Sequence, residues 1–482
     1  MHKSIKTINT RVNRFRTNSQ SSTNVIMSLP LKNRNMVEPI LFGTIVLIIA
    51  LVASCFLTRA VGVNANLPSL YDNKLKVQIV NKDLKFPTNM AFLGPNDILV
   101  LEKNNGAVQR IVNGVMLSKP LLQISVSNIS ERGMLGVTVG NNLTKDNARN
   151  IFLYFTKPVA ETTPNVDGTL ASNNLYRYVL LNNTLVNPKN LLHLPPSHYS
   201  QHNGGDLLIG QNGNVYVVIG NLGGSYGDNH TKSKIQNYKD GIDADGRGGI
   251  LTMTPDGKSP YKSGLLGESF PLDLYYAYGI RNSFGIDFDP VNGNLWDTEN
   301  GGDNYDEINL VQPGFNSGSQ KLEGLSTLHK GFSMTKLEDF DGKGHYSDPE
   351  FTWNKTVGVT ALKFLNSDKL GKQYKNDMFV GDFHNGILYH FDLDKKRTGL
   401  SLTGQLKDKI ANTSAELGSV VFGQGFGGIT DIQVGPDGYL YVLSLYQGGD
   451  NCLIGKSSPD CVRYESDVLG TIFRIVPKLV KN

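Results

Sequence analysis

The chain has 482 residues, of which 52 are Gly and 41 are Tyr or Phe, with nine Met and 19% charged residues; that is the profile of many short aromatic strands joined by tight turns, and it disfavours a helical fold. The formal charge of +4 belongs to the leader, where residues 1–38 carry seven Lys or Arg against Glu38, so the remainder is −2 and nothing in it suggests nucleic acid. No paired Cys/His zinc spacing is present, and neither a Gly-x-Ser-x-Gly elbow nor a dinucleotide Gly-x-Gly-x-x-Gly turn falls between a strand and a helix pattern, which leaves the usual zinc, hydrolase and NAD readings without support.

In chain order, residues 1–38 read as a basic cytoplasmic segment. Residues 39–58 follow as an uncharged run of 20, long enough to cross a hydrocarbon core about 30 Å thick as a helix. The positive-inside bias keeps the N-terminus in the cytoplasm and puts everything after Arg59 outside. Two alternatives stay open: Leu51-Val52-Ala53-Ser54-Cys55 resembles a lipoprotein cleavage box, in which case Cys55 carries lipid, or the globular part is secreted. A linker, residues 59–69, leads into the globular domain, residues 70–478.

That domain restates one hairpin six times. The first copy is Met90 to Leu101, turning at Gly94-Pro95-Asn96-Asp97. The next four are Leu135 to Phe155, Leu207 to Ile219 (turning at Asn212-Gly213), Ile286 to Thr298 (turning at Asn292-Gly293) and Ala361 to Asp382. The last is Ile432 to Leu443, turning at Gly435-Pro436-Asp437-Gly438. Asn-Gly and Asp-Gly supply the positive φ that a tight turn between twisted antiparallel strands needs. Copies recur after about 45 residues once and about 70 to 80 thereafter, the spacing of four-stranded blades with long insertions. An all-β, six-bladed β-propeller preceded by one transmembrane or signal-anchor helix is the expected architecture; a sandwich is the alternative. Cys452 and Cys461 sit in a Gly/Ser/Asp-rich loop and are expected to pair in an oxidising compartment, with two free thiols as the alternative. Six Asn-x-Ser/Thr acceptors, at Asn128, Asn142, Asn182, Asn229, Asn354 and Asn412, fit an exported surface.

Three loops carry candidate chemistry. His202, in Gln201-His202-Asn203-Gly204-Gly205, precedes the third repeat, where an imidazole is suited to proton abstraction near neutrality; a turn histidine bonded to backbone is the bland alternative. Arg281 and Asn282, in Gly279-Ile280-Arg281-Asn282-Ser283-Phe284-Gly285, precede the fourth, and the planar cation suits carboxylate or quinone oxygens; a structural arginine capping carbonyls is the alternative. After that repeat, Thr298 to Asn309 is a turn dense in oxygen donors of the kind calcium takes, though it lacks the EF-hand spacing, and an ordinary acidic hydrogen-bonded turn is the alternative.

Together with Glu131-Arg132-Gly133-Met134-Leu135-Gly136, these motifs, in this order, resemble the soluble PQQ-dependent glucose/sorbosone dehydrogenases and aldose sugar dehydrogenases. The resemblance implies a site for pyrroloquinoline quinone (PQQ) and Ca2+ at the channel mouth. It implies His202 as the base for the C1 hydroxyl of an aldose, Arg281 as stabiliser of charge on the quinone oxygen, and Glu131, Asn282, Thr356 and His384 as further cofactor contacts. It implies the carbonyls of Gly301 and Gly302 as ligands of one calcium and Glu307 as a ligand of a second. The implied partners are a sugar and an external electron acceptor. Departures accompany it: Gly428 and Thr430 stand where the family has two arginines that pair with cofactor carboxylates, Gln201 where it has an acidic residue, Glu131 where Gln is common, and Ser317 where Tyr is usual. Lys355 and Arg247, from the long inserts, are the candidates to replace the missing charges. A propeller of the same ancestry that has lost the cofactor and binds carbohydrate or protein at the cell surface is therefore the alternative function, and a lactonase-like metal hydrolase a third.

Overall fold

The computed structural model describes residues 67–143, 148–160, 162–163, 165–223, 232–445 and 469–478. The 39–58 segment, Cys55, the Cys452–Cys461 loop and Asn229 lie outside the described residues, and no helix among the described residues is long and apolar enough to cross a membrane. Residues 65–482 form one compact unit.

The architecture is an all-β propeller. Among the described residues the strands gather into six sheets, and each hairpin expected from the sequence opens a different one. Pro87–Gly94 pairs antiparallel with Asp97–Glu102, Met134–Leu143 with Arg149–Pro158, and Leu207–Ile209 with Val215–Ile219. Ser283–Phe288 likewise pairs with Leu295–Glu299, Val359–Phe364 with Met378–Asp382, and Ile429–Val434 with Leu440–Ser444. The turns have the expected chemistry: Gly213 and Gly438 sit at φ +77° and +80°, values that a Cβ would strain.

The first strand of each hairpin lies innermost, and these six inner strands touch in sequence order, the last returning to the first. The ring is fastened by the chain ends: Leu75–Lys85 pairs antiparallel with Leu469–Pro477, which completes the sheet of Leu440–Ser444 and Ile429–Val434. Alternating apolar residues bury themselves between neighbouring sheets. Leu99, Leu101 and Val108 of one, for example, pack with Val137, Ile151 and Leu153 of the next, each worth about 1.5–3 kcal/mol of transfer free energy when fully buried.

Polar side chains stitch the inner strands across the channel wall. Asn89 Oδ1 accepts from the Val137 amide (3.0 Å), Asp206 Oδ2 from Ile286 (3.0 Å), Asp287 Oδ2 from Phe364 (2.9 Å) and Asp431 Oδ2 from Met90 (2.7 Å). The Thr360 hydroxyl donates to the Ile429 carbonyl (2.6 Å). Backbone donors of inner strands, which have no ladder partner on the channel side, are satisfied this way.

Candidate active site

The loops that enter the inner strands meet at one end of the ring around a cavity of about 410 Å3. His202 enters it from the turn before Leu207–Ile209. The turn is tight: His202 and Gly204 both have positive φ, at 59° and 60°, and a Cβ at Gly204 would press on the Val218 carbonyl at 2.7 Å. The strained position aims the imidazole inward. His202 Nδ1 is 2.8 Å from Asn221 Oδ1, and Asn221 Nδ2 donates in turn to Gln236 Oε1 (3.3 Å). An amide whose NH2 is thus committed presents its oxygen to the imidazole, so Nδ1 carries the hydrogen and Nε2 keeps its lone pair. Burial, reinforced by the Arg281 charge, lowers the His202 pKa to about 4, so the ring is neutral at ordinary pH.

Arg281 and Asn282 enter from the loop before Ser283–Phe288. The Arg281 amide donates to Glu299 Oε1 (2.6 Å) and its Nη1 to the Asn300 carbonyl (3.0 Å), while Nε lies 3.7 Å from Glu323 Oε1. These contacts fix the guanidinium at the cavity wall. Asn282 is buried, its Nδ2 lies 3.5 Å from both Glu131 carboxylate oxygens, and its Oδ1 has no hydrogen-bond partner. A buried amide oxygen without a donor is costly, and here it belongs to a residue lining the cavity. Burial pushes the Glu131 carboxyl upward, against the pull of the Asn203 and His202 amides and the Arg281 charge. Glu131 has the shape of a glutamine but only acceptor oxygens, and these face the backbone N–H of Asn203 and the side-chain amide of Asn282.

Beside the cavity, the turn after Leu295–Glu299 is tied down by carboxylates. Gly301 N donates to Asp306 Oδ1 (3.0 Å) and Gly302 N to Glu323 Oε2 (3.2 Å), and a Cβ on Gly301 would collide with the Asn304 carbonyl. Deeper, on one face of the paired strands Leu295–Glu299 and Asp306–Val311, stand Asp297, Glu299 and Glu307, with Glu299 opposite Glu307 and Asp297 opposite Asn309. All three carboxylates are buried. Glu307 accepts from the Gly324 amide (2.6 Å) and Asn309 Nδ2 (3.1 Å), whereas both oxygens of Asp297 and the Asn309 Oδ1 have no partner. Burial drives the carboxyls of Asp297 and Glu299 up to about 7 and 8. Three buried carboxylates, with both oxygens of Asp297 unmet, make a hard-oxygen donor set of the kind calcium takes.

Of the residues singled out in the sequence, Glu131, His202, Arg281, Asn282, Gly302 and His384 line this one cavity, as does Thr430. Gly301 and Glu307 do not; Glu307 belongs to the buried acidic cluster. Thr356 is not among the cavity's lining residues, whereas Gly358 and Thr360 are. The reason is Asp306, whose Oδ2 accepts from the amides of Val357 (2.7 Å), Gly358 (2.8 Å) and Val359 (3.4 Å) and so straps this segment with its later residues toward the channel. Lys355 and Arg247 are also elsewhere, Lys355 donating to Asn304 Oδ1 (2.7 Å) and Arg247 Nε to Asp245 Oδ2 (2.8 Å). Sequence reasoning missed Lys103 and Asp206, both in the cavity wall. Lys103, in Glu102-Lys103-Asn104-Asn105-Gly106, reads as a solvated turn; the available signal was its place directly after an inner hairpin strand, as with Thr298 to Asn309.

The chain is similar to several known proteins. The glucose/sorbosone dehydrogenase family matches residues 84–453. Aldose sugar dehydrogenase YliI of Escherichia coli is 26% identical over 383 residues, 78% of this chain and 91% of the relative. Quinoprotein glucose dehydrogenase B of Acinetobacter calcoaceticus is 26% identical over 385 residues, covering 67% and 78%. The PQQ-bound aldose sugar dehydrogenase of Streptomyces coelicolor superposes with a TM-score of 0.55 at 20% identity over 85% of this chain and 99% of its own. The chain belongs to the glucose/sorbosone dehydrogenase family of oxidoreductases.

Proposed function

We propose that the protein is a PQQ- and calcium-dependent dehydrogenase that oxidises an aldose at C1 to the lactone and passes the electrons to an external acceptor. Each of the six sheets is read as one blade, the propeller spans residues 70–478, and residues 39–58 tether it outside the membrane, with lipidation at Cys55 or secretion as the other routes out of the cytoplasm.

One observation carries the reading: a neutral imidazole with a free Nε2 lone pair, a fixed guanidinium and an unpartnered buried amide oxygen converge on one cavity. That orphaned Asn282 oxygen is what a heterocyclic donor would satisfy, and two relatives, a quinoprotein and a PQQ-bound enzyme, point to the same group. PQQ, when bound, supplies a two-electron acceptor for the hydride from C1. Asn282, Arg281, Glu131 and His384 would hold it, the Gly301 and Gly302 carbonyls would bind the calcium beside it, and Glu307 with its acidic neighbours a second calcium.

His202 Nε2 takes the C1 hydroxyl proton, while Nδ1–H stays on Asn221 and keeps the ring's orientation. Arg281 offers fixed positive charge where negative charge accumulates, at no reorganisation cost. Phe86, Phe284 and Phe383 in the wall restrict water and strengthen these interactions. A second reading, a cofactor-less carbohydrate- or protein-binding propeller, is favoured by Gly428 and by Thr430 in the wall where cations are expected. Titration of the purified full-length protein with PQQ and Ca2+, followed by dye reduction with a panel of aldoses, separates the two: absence of PQQ binding at micromolar concentration leaves only the second.

A further inference from the structure

Among the described cavity-lining residues, the Lys and Arg side chains are Arg281 and Lys103. Arg281 is committed to the Asn300 carbonyl and Glu323. Lys103 comes from a different part of the ring. Its amide donates to the Phe86 carbonyl (3.0 Å) and its carbonyl accepts from the Met134 amide (3.0 Å), so its backbone is stitched between the loops that enter the first and second inner strands. Its stem lies over Gly133, where a Cβ would collide with Lys103 Cγ. A glycine is therefore required for the stem to lie flat. The ammonium ends 4.8 Å from the centre of the Phe86 ring and donates to Asn104 Oδ1 (2.7 Å) and the Asn128 carbonyl (3.1 Å). Only 2% of the residue is exposed.

This cation adjoins the sector where the sequence lacks its expected arginines. The Thr430 hydroxyl donates to the Pro87 carbonyl (3.3 Å), and Pro87 follows Phe86, over whose ring the ammonium sits. One step around the ring thus replaces a long side chain from the last sheet by one from the first. The carboxyls that share this cavity, Glu131 and Asp206, are both pushed upward by burial, Asp206 to about 6. Burial also pulls the Lys103 ammonium down to about 7, the mark of a cation that an incoming anion would stabilise.

We propose that Lys103 is the anion anchor of this cavity, holding a carboxylate of its ligand in place of the arginines absent at Gly428 and Thr430. The inference rests on the cofactor reading above, on which the carboxylate is one of those of PQQ. It also explains how the cavity would hold an anionic quinone with neutral residues at both expected arginine positions.

The test is calorimetric titration of the full-length protein with PQQ in the presence of Ca2+, in the wild type and in Lys103→Met, Lys103→Gln and Lys103→Arg. Circular dichroism and melting temperature serve as the check on folding. Loss of a charge-assisted contact weakens binding by about 10- to 100-fold, and Lys103→Arg is expected to recover most of it. The trimethyl ester of PQQ, which lacks the charged carboxylates, is expected to bind wild type and Lys103→Met equally. Wild-type affinity for PQQ in folded Lys103→Met and Lys103→Gln overturns the assignment while leaving the cofactor reading intact; so does an equal loss of PQQ and its ester, which marks a structural role. Failure of the wild type to bind PQQ at all overturns both.

Discussion

Asp306→Asn isolates the strap that shapes the cavity rim. The Asp306 carboxylate is fully buried and accepts four backbone N–H bonds: Gly301 on Oδ1 (3.0 Å), and Val357, Gly358 and Val359 on Oδ2 (2.7, 2.8 and 3.4 Å). An asparagine has one acceptor oxygen, and its cheapest orientation keeps that oxygen on the Val357 side and turns NH2 toward the Gly301 amide. One buried N–H then loses its partner, at about 1–3 kcal/mol, and the two short bonds that remain lose charge assistance, at about 1 kcal/mol each. The expected destabilisation is about 3–5 kcal/mol, read by urea unfolding with calcium held constant. Hydrogen exchange should quicken at residues 357–359 and 301 ahead of the rest of the sheet. A loss below about 1 kcal/mol, or unchanged exchange at those amides, would refute the claim that this carboxylate positions the rim.

Two further predictions concern His202. Its replacement by Ala should lower turnover by at least about 100-fold, the usual contribution of a positioned base, while PQQ affinity measured by titration changes little; lost affinity would instead make it a binding residue. Because its pKa is lowered to about 4 from an ordinary value near 6.5, the acid limb of the kcat/KM profile should lie near pH 4, and a limb near 6.5 would contradict the buried, neutral imidazole. The same shift fixes a stability trend: the unfolded chain binds this proton more readily, so the contribution is present above about pH 6.5 and is lost as pH falls toward 4.

The hairpins were legible because each rests on a local signal, a Gly- or Asn-bearing turn between alternating apolar runs. His202, Arg281 and Asn282 were legible for a related reason, since each sits directly before an inner strand and the ring brings such positions to one end. Lys103 and Asp206 were not. Their partners are Phe86 and Asn128 for the first, and Asn89 and Ile286 for the second, contacts that largely arise when neighbouring sheets close on one another and leave no mark in local spacing. Thr356 lies outside the cavity lining, in a segment whose path the distant carboxylate of Asp306 governs. The three-carboxylate cluster is visible in the sequence only as acidic residues alternating along Asp297 and Glu299 and returning at Glu307; the strand pairing makes it one site.

The account stands most directly on one measurement: dye reduction by the full-length protein loaded with PQQ and Ca2+ and offered aldoses. It predicts turnover that requires both sugar and PQQ, that is removed by chelation of calcium, and that is absent in His202→Ala. No PQQ binding at micromolar concentration, or binding without reduction of the dye by any aldose, would contradict it.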